Sequence, residues 1–163
     1  MEATPTWFGM LLPDGSRLAA ADTMSGLWTG RPPANRCPVI RKLSVDAAKV
    51  APGATVTATL DGTDPEGDPL KAEWVLLREA GSYYADGRPE SELPAFPAAI
   101  ISGDATGARI AMPKDPGGYR LYAYLRDGKG GAATANVPLL VKGEAKAQET
   151  RPVRVEPRGA TDE

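Results

Sequence analysis

The sequence predicts an all-β chain, a β-sandwich of about seven strands with a short strand and helix ahead of it and a loose tail behind. Three observations predict this. Between residues 37 and 142, apolar and polar residues alternate with the period of two that marks half-buried strands. Clusters of Gly, Pro and Asp interrupt the alternation at fairly regular intervals. Glycine (18) and proline (16) together exceed a fifth of the 163 residues, a density that cuts a chain into short pieces and opposes long helices.

Residues 1–36 come first and read differently. Trp7, Phe8, Met10, Leu11 and Leu12 form an apolar patch that ends in a turn at Pro13-Asp14-Gly15. A helical pattern follows from Leu18 to Trp28, with Met24, Leu27 and Trp28 at helical spacing, and Thr29-Gly30 and Pro32-Pro33 stop it. One strand and one short helix cannot bury two tryptophans alone, so the segment needs a partner surface. Two partners fit: the sandwich that follows, or an upstream domain of which this is the last strand and helix.

The expected strands are Val39–Val45, Ala54–Thr63, Leu70–Arg78, Arg109–Met112, Tyr119–Asp127 and Ala132–Val141, with a short one at Ala98–Ile101. Leu70, Ala72, Trp74 and Leu76 share one face of the third; Tyr119, Leu121, Ala123 and Leu125 share one face of the fifth. These two rows are expected to meet in the core, with Trp74 as its largest piece and the Tyr119 hydroxyl bonded to nearby backbone. Residues 79–97 make a long polar connection carrying Tyr83, Tyr84, Arg88, Glu90 and Glu92, and connections of that length are often functional. Residues 143–163 alternate charges with almost no apolar content and should be a disordered tail.

Charge and composition narrow the function. Lysine plus arginine (19) nearly balances aspartate plus glutamate (21), a net −2, so there is no electrostatic footprint for nucleic acid or an anionic membrane. No apolar run is long enough to span a bilayer, and Met1-Glu2-Ala3-Thr4 lacks the features of a secretory signal. The single Cys37 leaves the redox compartment open. With no histidine there is no Ser-His or Cys-His couple and no His-bearing zinc site. Glu73 and Glu79 are the candidate glycosidase carboxylates, but nothing around them suggests the cleft such a pair needs. The chain is not expected to be an enzyme.

Two candidate sites remain. Asp64-Pro65-Glu66-Gly67-Asp68 puts three carboxylates in one turn, where they repel unless solvated or bridged by a cation. Calcium, which takes six to eight oxygen ligands, suits such a cluster, and Asp127 and Asn35 are placed to join Asp64, Glu66 and Asp68. The plainer reading is a turn whose carboxylates cap backbone N–H groups. The second candidate is a carbohydrate platform. Tyr122 and Tyr124 alternate with core residues and should point outward, with Arg120 and Arg126 as donors beside them; Tyr83 and Tyr84 form a second platform. The plainer reading here is that outward tyrosines stabilise the sheet by cross-strand pairing or lie under a neighbouring domain.

Several of these strings resemble known modules. Thr6-Trp7-Phe8-Gly9, Leu27-Trp28-Thr29-Gly30 and Pro33-Ala34-Asn35-Arg36-Cys37-Pro38 resemble the junction between barrel and C-terminal module in bacterial glycoside hydrolases of the family 2-like TIM-barrel kind. Asp64 to Leu70, followed by Glu73-Trp74, resembles the acidic-turn-and-tryptophan signature of PKD- and Ig-like modules, and Gly118 to Tyr122, Asp127-Gly128 and Asn136-Val137-Pro138 resemble the end of such modules. The resemblance implies an Ig/PKD-like sandwich over 37–142, a barrel remnant and linker over 1–36, and catalytic carboxylates on absent barrel strands. It also implies calcium at Asn35, Asp64, Glu66 and Asp127, although Glu66 stands where Asp is usual. The chain then reads as a truncated product, a gene fragment or a piece of a longer protein.

The expected function is a non-catalytic accessory module of a secreted polysaccharide-degrading glycoside hydrolase, acting as spacer or weak carbohydrate binder. Its partners would be the parent barrel or the polysaccharide, with the parent periplasmic or extracellular. The alternatives are a protein interaction domain docking through Trp7, Phe8 and Trp28, or a calcium-stiffened linker.

Overall fold

The structure is a computed structural model that describes residues 9–79 and 93–143. It is an all-β sandwich of two four-stranded sheets with one α-helix. The strands are β1 (Val39–Val45), β2 (Lys49–Val50), β3 (Thr55–Thr63), β4 (Lys71–Arg78), β5 (Ile100–Asp104), β6 (Gly107–Ala111), β7 (Gly117–Arg126) and β8 (Ala132–Val141). The first sheet runs β1-β3-β6-β5 and the second β2-β8-β7-β4. All pairings are antiparallel except the short β2 against β8.

Period-two alternation builds the interior. Val56, Ala58 and Leu60 of β3 and Ala108 and Ile110 of β6 face Trp74 and Leu76 of β4, Tyr119, Leu121, Ala123 and Leu125 of β7 and Leu139 and Val141 of β8 in one buried cluster. Trp74 keeps 8% of its surface exposed, and its indole Nε1 donates to the Asp104 carbonyl at 3.0 Å. That approach requires a glycine: a Cβ on Gly103 would lie 2.6 Å from Trp74 Cδ1. The Tyr119 hydroxyl donates to the Asp115 carbonyl at 2.8 Å, closing the corner into β7 as expected.

One expectation is corrected. The Trp74 and Tyr119 rows do not close on each other across the sandwich; β4 and β7 are neighbours in one sheet, with Trp74 opposite Ala123 and Leu76 opposite Leu121. Both rows face the other sheet. Alternation fixes which face of a strand is dry, but not which strand lies beside it. The two-residue β2 was also missed, being too short to show a period.

The N-terminal segment folds onto one end of the sandwich. Residues 11–17 form a tight reversal in which Leu11 pairs with Arg17, and Arg17 in turn pairs with Gly131 just ahead of β8. Helix α1 (Ala19–Thr29) follows; Gly30, at φ 72°, ends it by donating its N–H to the Gly26 carbonyl.

Candidate functional site

Two loops and the N-terminal segment converge on that end of the molecule. The acidic turn holds itself: Asp64 Oδ1 accepts from the N–H groups of Glu66 and Asp68, both at 2.9 Å. The loop between β7 and β8 is organised the same way, Asp127 Oδ1 accepting from the N–H groups of Lys129 at 2.7 Å and Gly131 at 2.9 Å. Two short aspartate turns are thus set side by side, and Lys129 Nζ reaches Asp68 Oδ1 at 2.7 Å to join them.

The incoming chain locks into these turns through polar groups. Asn35 Nδ2 donates to Asp127 Oδ2 at 2.8 Å. Arg36 grips Glu66 with its backbone N–H at 3.0 Å and its Nε at 2.8 Å. Asp22 of α1 takes the Cys37 N–H and pairs with Arg17 at 3.0 Å, while the Cys37 thiol donates to the Arg17 carbonyl. Asp14 bonds Arg126 on the second sheet at 2.9 Å. Burial pushes the Cys37 thiol up to about 11, helped by the neighbouring Asp22 carboxylate, which accepts from it. Burial works against ionised Asp127 too, but the hydrogen bonds from Asn35, Lys129 and Gly131 outweigh it and hold the carboxyl below its ordinary value.

The sequence brought Asn35, Asp64, Glu66, Asp68 and Asp127 to one end, and there they lie. They are not all free to share one cation, though Asn35 Oδ1, Asp64 Oδ2 and Asp68 Oδ2 are buried with no hydrogen-bond partner among the described residues. Arg36 takes both Glu66 oxygens, and protein donors take both Asp127 oxygens. Among the described residues, no three His, Cys, Asp or Glu side chains are grouped to hold a metal. The plainer turn reading describes Asp64 and Asp127 better. Arg17, Asp22, Arg36 and Lys129 were not singled out from sequence; Arg36 and Lys129 meet partners distant in the chain, and no local pattern marks the Arg17–Asp22 pair.

Tyr122 and Tyr124 stand together on the outer face of the second sheet, rings stacked with centroids 6.5 Å apart. Tyr122 keeps only 4% of its surface, so it presents no open ring face for a sugar. Tyr124 is half-buried under the Arg126 guanidinium, and burial, with Tyr122 and Glu73 nearby, pushes its hydroxyl up to about 12. Arg120 pairs with Glu79 at 2.7 Å and donates to Asn136, while Arg126 pairs with Glu73 at 2.9 Å. Each candidate catalytic carboxylate is therefore held by an arginine. Tyr83 and Tyr84, and Trp7 and Phe8, lie outside the described residues.

The exposed apolar surface lies elsewhere. No residue of α1 is buried, and Leu27 and Trp28 are 73% and 72% exposed. Beside the helix runs an open groove of about 440 Å³, lined among others by Asp22, Gly26, Arg31, Pro33, Arg36 and Pro65.

No family model matches this chain, and no curated protein matches it. Among solved structures, it is similar to the PKD domain of an M14-like peptidase from a Thermoplasmatales archaeon (18% identity, TM-score 0.44, covering 68% of this chain and 100% of that one). It is also similar to the PKD1 domain of Vibrio anguillarum Epp (16% identity, TM-score 0.36, 66% and 96%). A third similar structure is a nucleoside hydrolase-related hypothetical protein from Saccharophagus degradans, described as associated with carbohydrate metabolism (23% identity, TM-score 0.43). The alignment covers 66% of this chain and 26% of that protein.

Proposed function

We propose that this chain is a non-catalytic accessory module, a PKD-like spacer that docks through α1 onto the catalytic domain of a polysaccharide-degrading enzyme. The observation that carries the reading is a helix attached by polar bonds on one side while Leu27 and Trp28 stand in water on the other. Fully burying a large apolar side chain is worth about 1.5–3 kcal/mol, so a companion surface gains appreciably by covering both. The companion is taken as a domain of the same larger protein because the strings around Trp28 and Asn35 resemble a barrel-to-module junction. On this reading the parent works in the periplasm or outside the cell.

Spacer is favoured over carbohydrate binder because Tyr122 is covered and Arg120 and Arg126 are already paired. Sedimentation of the whole chain tests the docking face. Association that grows with concentration and disappears in a Leu27→Ser, Trp28→Ser double variant is expected; a monomer at every concentration contradicts it. In a pull-down on insoluble cellulose and xylan the chain should stay in the supernatant. Retention that a Tyr124→Ala variant loses would restore the binder.

A further inference from the structure

The outer face of the first sheet carries an arginine that makes no ion pair among the described residues. Arg109 lies between the buried Ala108 and Ile110, so alternation turns its side chain out to solvent. Arg17, Arg36, Arg41, Arg120 and Arg126 each meet a carboxylate, whereas Arg109 does not. Its cross-strand neighbours carry hydroxyls: Thr57 on β3 and Ser102 on β5. Residues directly opposite one another project from the same face of a sheet. These three side chains line an open depression of about 380 Å³ together with Asp104, Thr106 and the side-chain-free Gly103 and Gly107. Asp104 Oδ1 is already filled, by the Thr106 N–H at 2.7 Å, the Thr106 hydroxyl at 2.6 Å and the Gly107 N–H at 3.2 Å. Its Oδ2 takes no bond among the described residues and stands in solvent.

The chemistry of this set selects a ligand. A guanidinium offers paired donors that match one carboxylate. The Asp104 charge beside it repels a multiply charged group such as phosphate, so a single negative charge fits better. Asp104 Oδ2 accepts hydrogen bonds only, and the Thr57, Ser102 and Thr106 hydroxyls donate and accept, which asks for hydroxyl groups on the ligand. We propose that this depression binds a hydroxy-carboxylate, its carboxylate on Arg109 and its hydroxyls on Asp104 Oδ2 and the flanking Thr57 and Ser102. A uronic acid unit of an acidic polysaccharide and a free hydroxy acid both carry that chemistry. The site goes beyond the spacer reading: it rests neither on docking through α1 nor on the tyrosine face.

The test is titration of the whole chain with trigalacturonate, galacturonate and neutral maltotriose, read from backbone amide resonances by NMR. Trigalacturonate should shift Ser102, Gly107 and Arg109 with a dissociation constant on the order of 1 mM and leave the Trp28 indole in place. Arg109 is exposed, so Arg109→Gln leaves the sheet intact; it should weaken binding about tenfold, with Arg109→Lys in between. Raising salt from about 0.05 M to about 0.5 M should weaken it too, because the charge pair is open to solvent. Trigalacturonate binding more than about tenfold tighter than galacturonate assigns the site to a polymer; a smaller difference assigns it to the free hydroxy acid. Either result supports the carboxylate site. No shift with either acid overturns the proposal, as do shifts that survive Arg109→Gln unchanged or that maltotriose reproduces.

Discussion

Between the sheets, Val56, Leu76, Ile110, Leu121 and Leu125 lie dry against one another, whereas the joint between the N-terminal segment and the sandwich is made of charges and backbone groups. The first region is held by area removed from water, which is non-directional and tolerant of small shifts. The second is held by aspartates that each satisfy several donors, and its worth depends on every partner being in place. A dry interior decides whether the chain folds. A polar joint decides the angle at which α1 is presented.

The comparison breaks most visibly at its apolar end. Trp74→Ala should cost about 3–5 kcal/mol, a large share of a small domain's stability, and chemical denaturation would show it. Asp127→Ala should cost about 1–3 kcal/mol, because it strands the Asn35 amide and the N–H groups of Lys129 and Gly131. Acid sharpens this. The folded Asp127 carboxyl sits below its ordinary value, so the unfolded chain takes up the proton first. Its contribution is complete above about pH 4 and drains away as pH falls through the folded value. Asp127→Asn should flatten part of the acid limb of a stability-against-pH curve; an unchanged limb would remove Asp127 from the account. Tyr119→Phe should cost about 1 kcal/mol, since it removes the hydroxyl that donates to the Asp115 carbonyl and accepts from Arg78. Leu27→Ser with Trp28→Ser should leave the melting curve within about 0.5 kcal/mol of wild type, since neither side chain packs on the sandwich.

The two regions also differ in how much the sequence disclosed. Six expected strands fall within two residues of their observed positions, because alternation and turn chemistry are local properties of the chain. The inward row of Trp74 and Leu76 was legible for the same reason; its neighbour in the sheet was not, since pairing depends on residues some 45 positions away. At the candidate site, the acidic turn could be read and its occupant could not. Whether Glu66 and Asp68 meet a metal or a basic side chain depends on Arg36 and Lys129 arriving from other parts of the chain, and a lysine beside a glycine-rich turn carries no mark of where its ammonium will lie. The outward tyrosines illustrate a further limit: alternation placed Tyr122 on the outer face correctly and said nothing of how covered that face would be.

Cys37 reports on the joint directly, because its thiol is 3% exposed, bonded to the Arg17 carbonyl and pushed up by burial. Its alkylation in native buffer can be compared with amide exchange at Val56 and Leu121 in the interior. If the N-terminal segment is truly fastened to the sandwich, Cys37 becomes labelled only with the free energy that opens those core amides, and much more readily once Asp22→Ala cuts the joint. Rapid labelling of wild-type Cys37 while the core amides stay protected would mean that the segment lifts off freely, and that the helix is not held out for a partner.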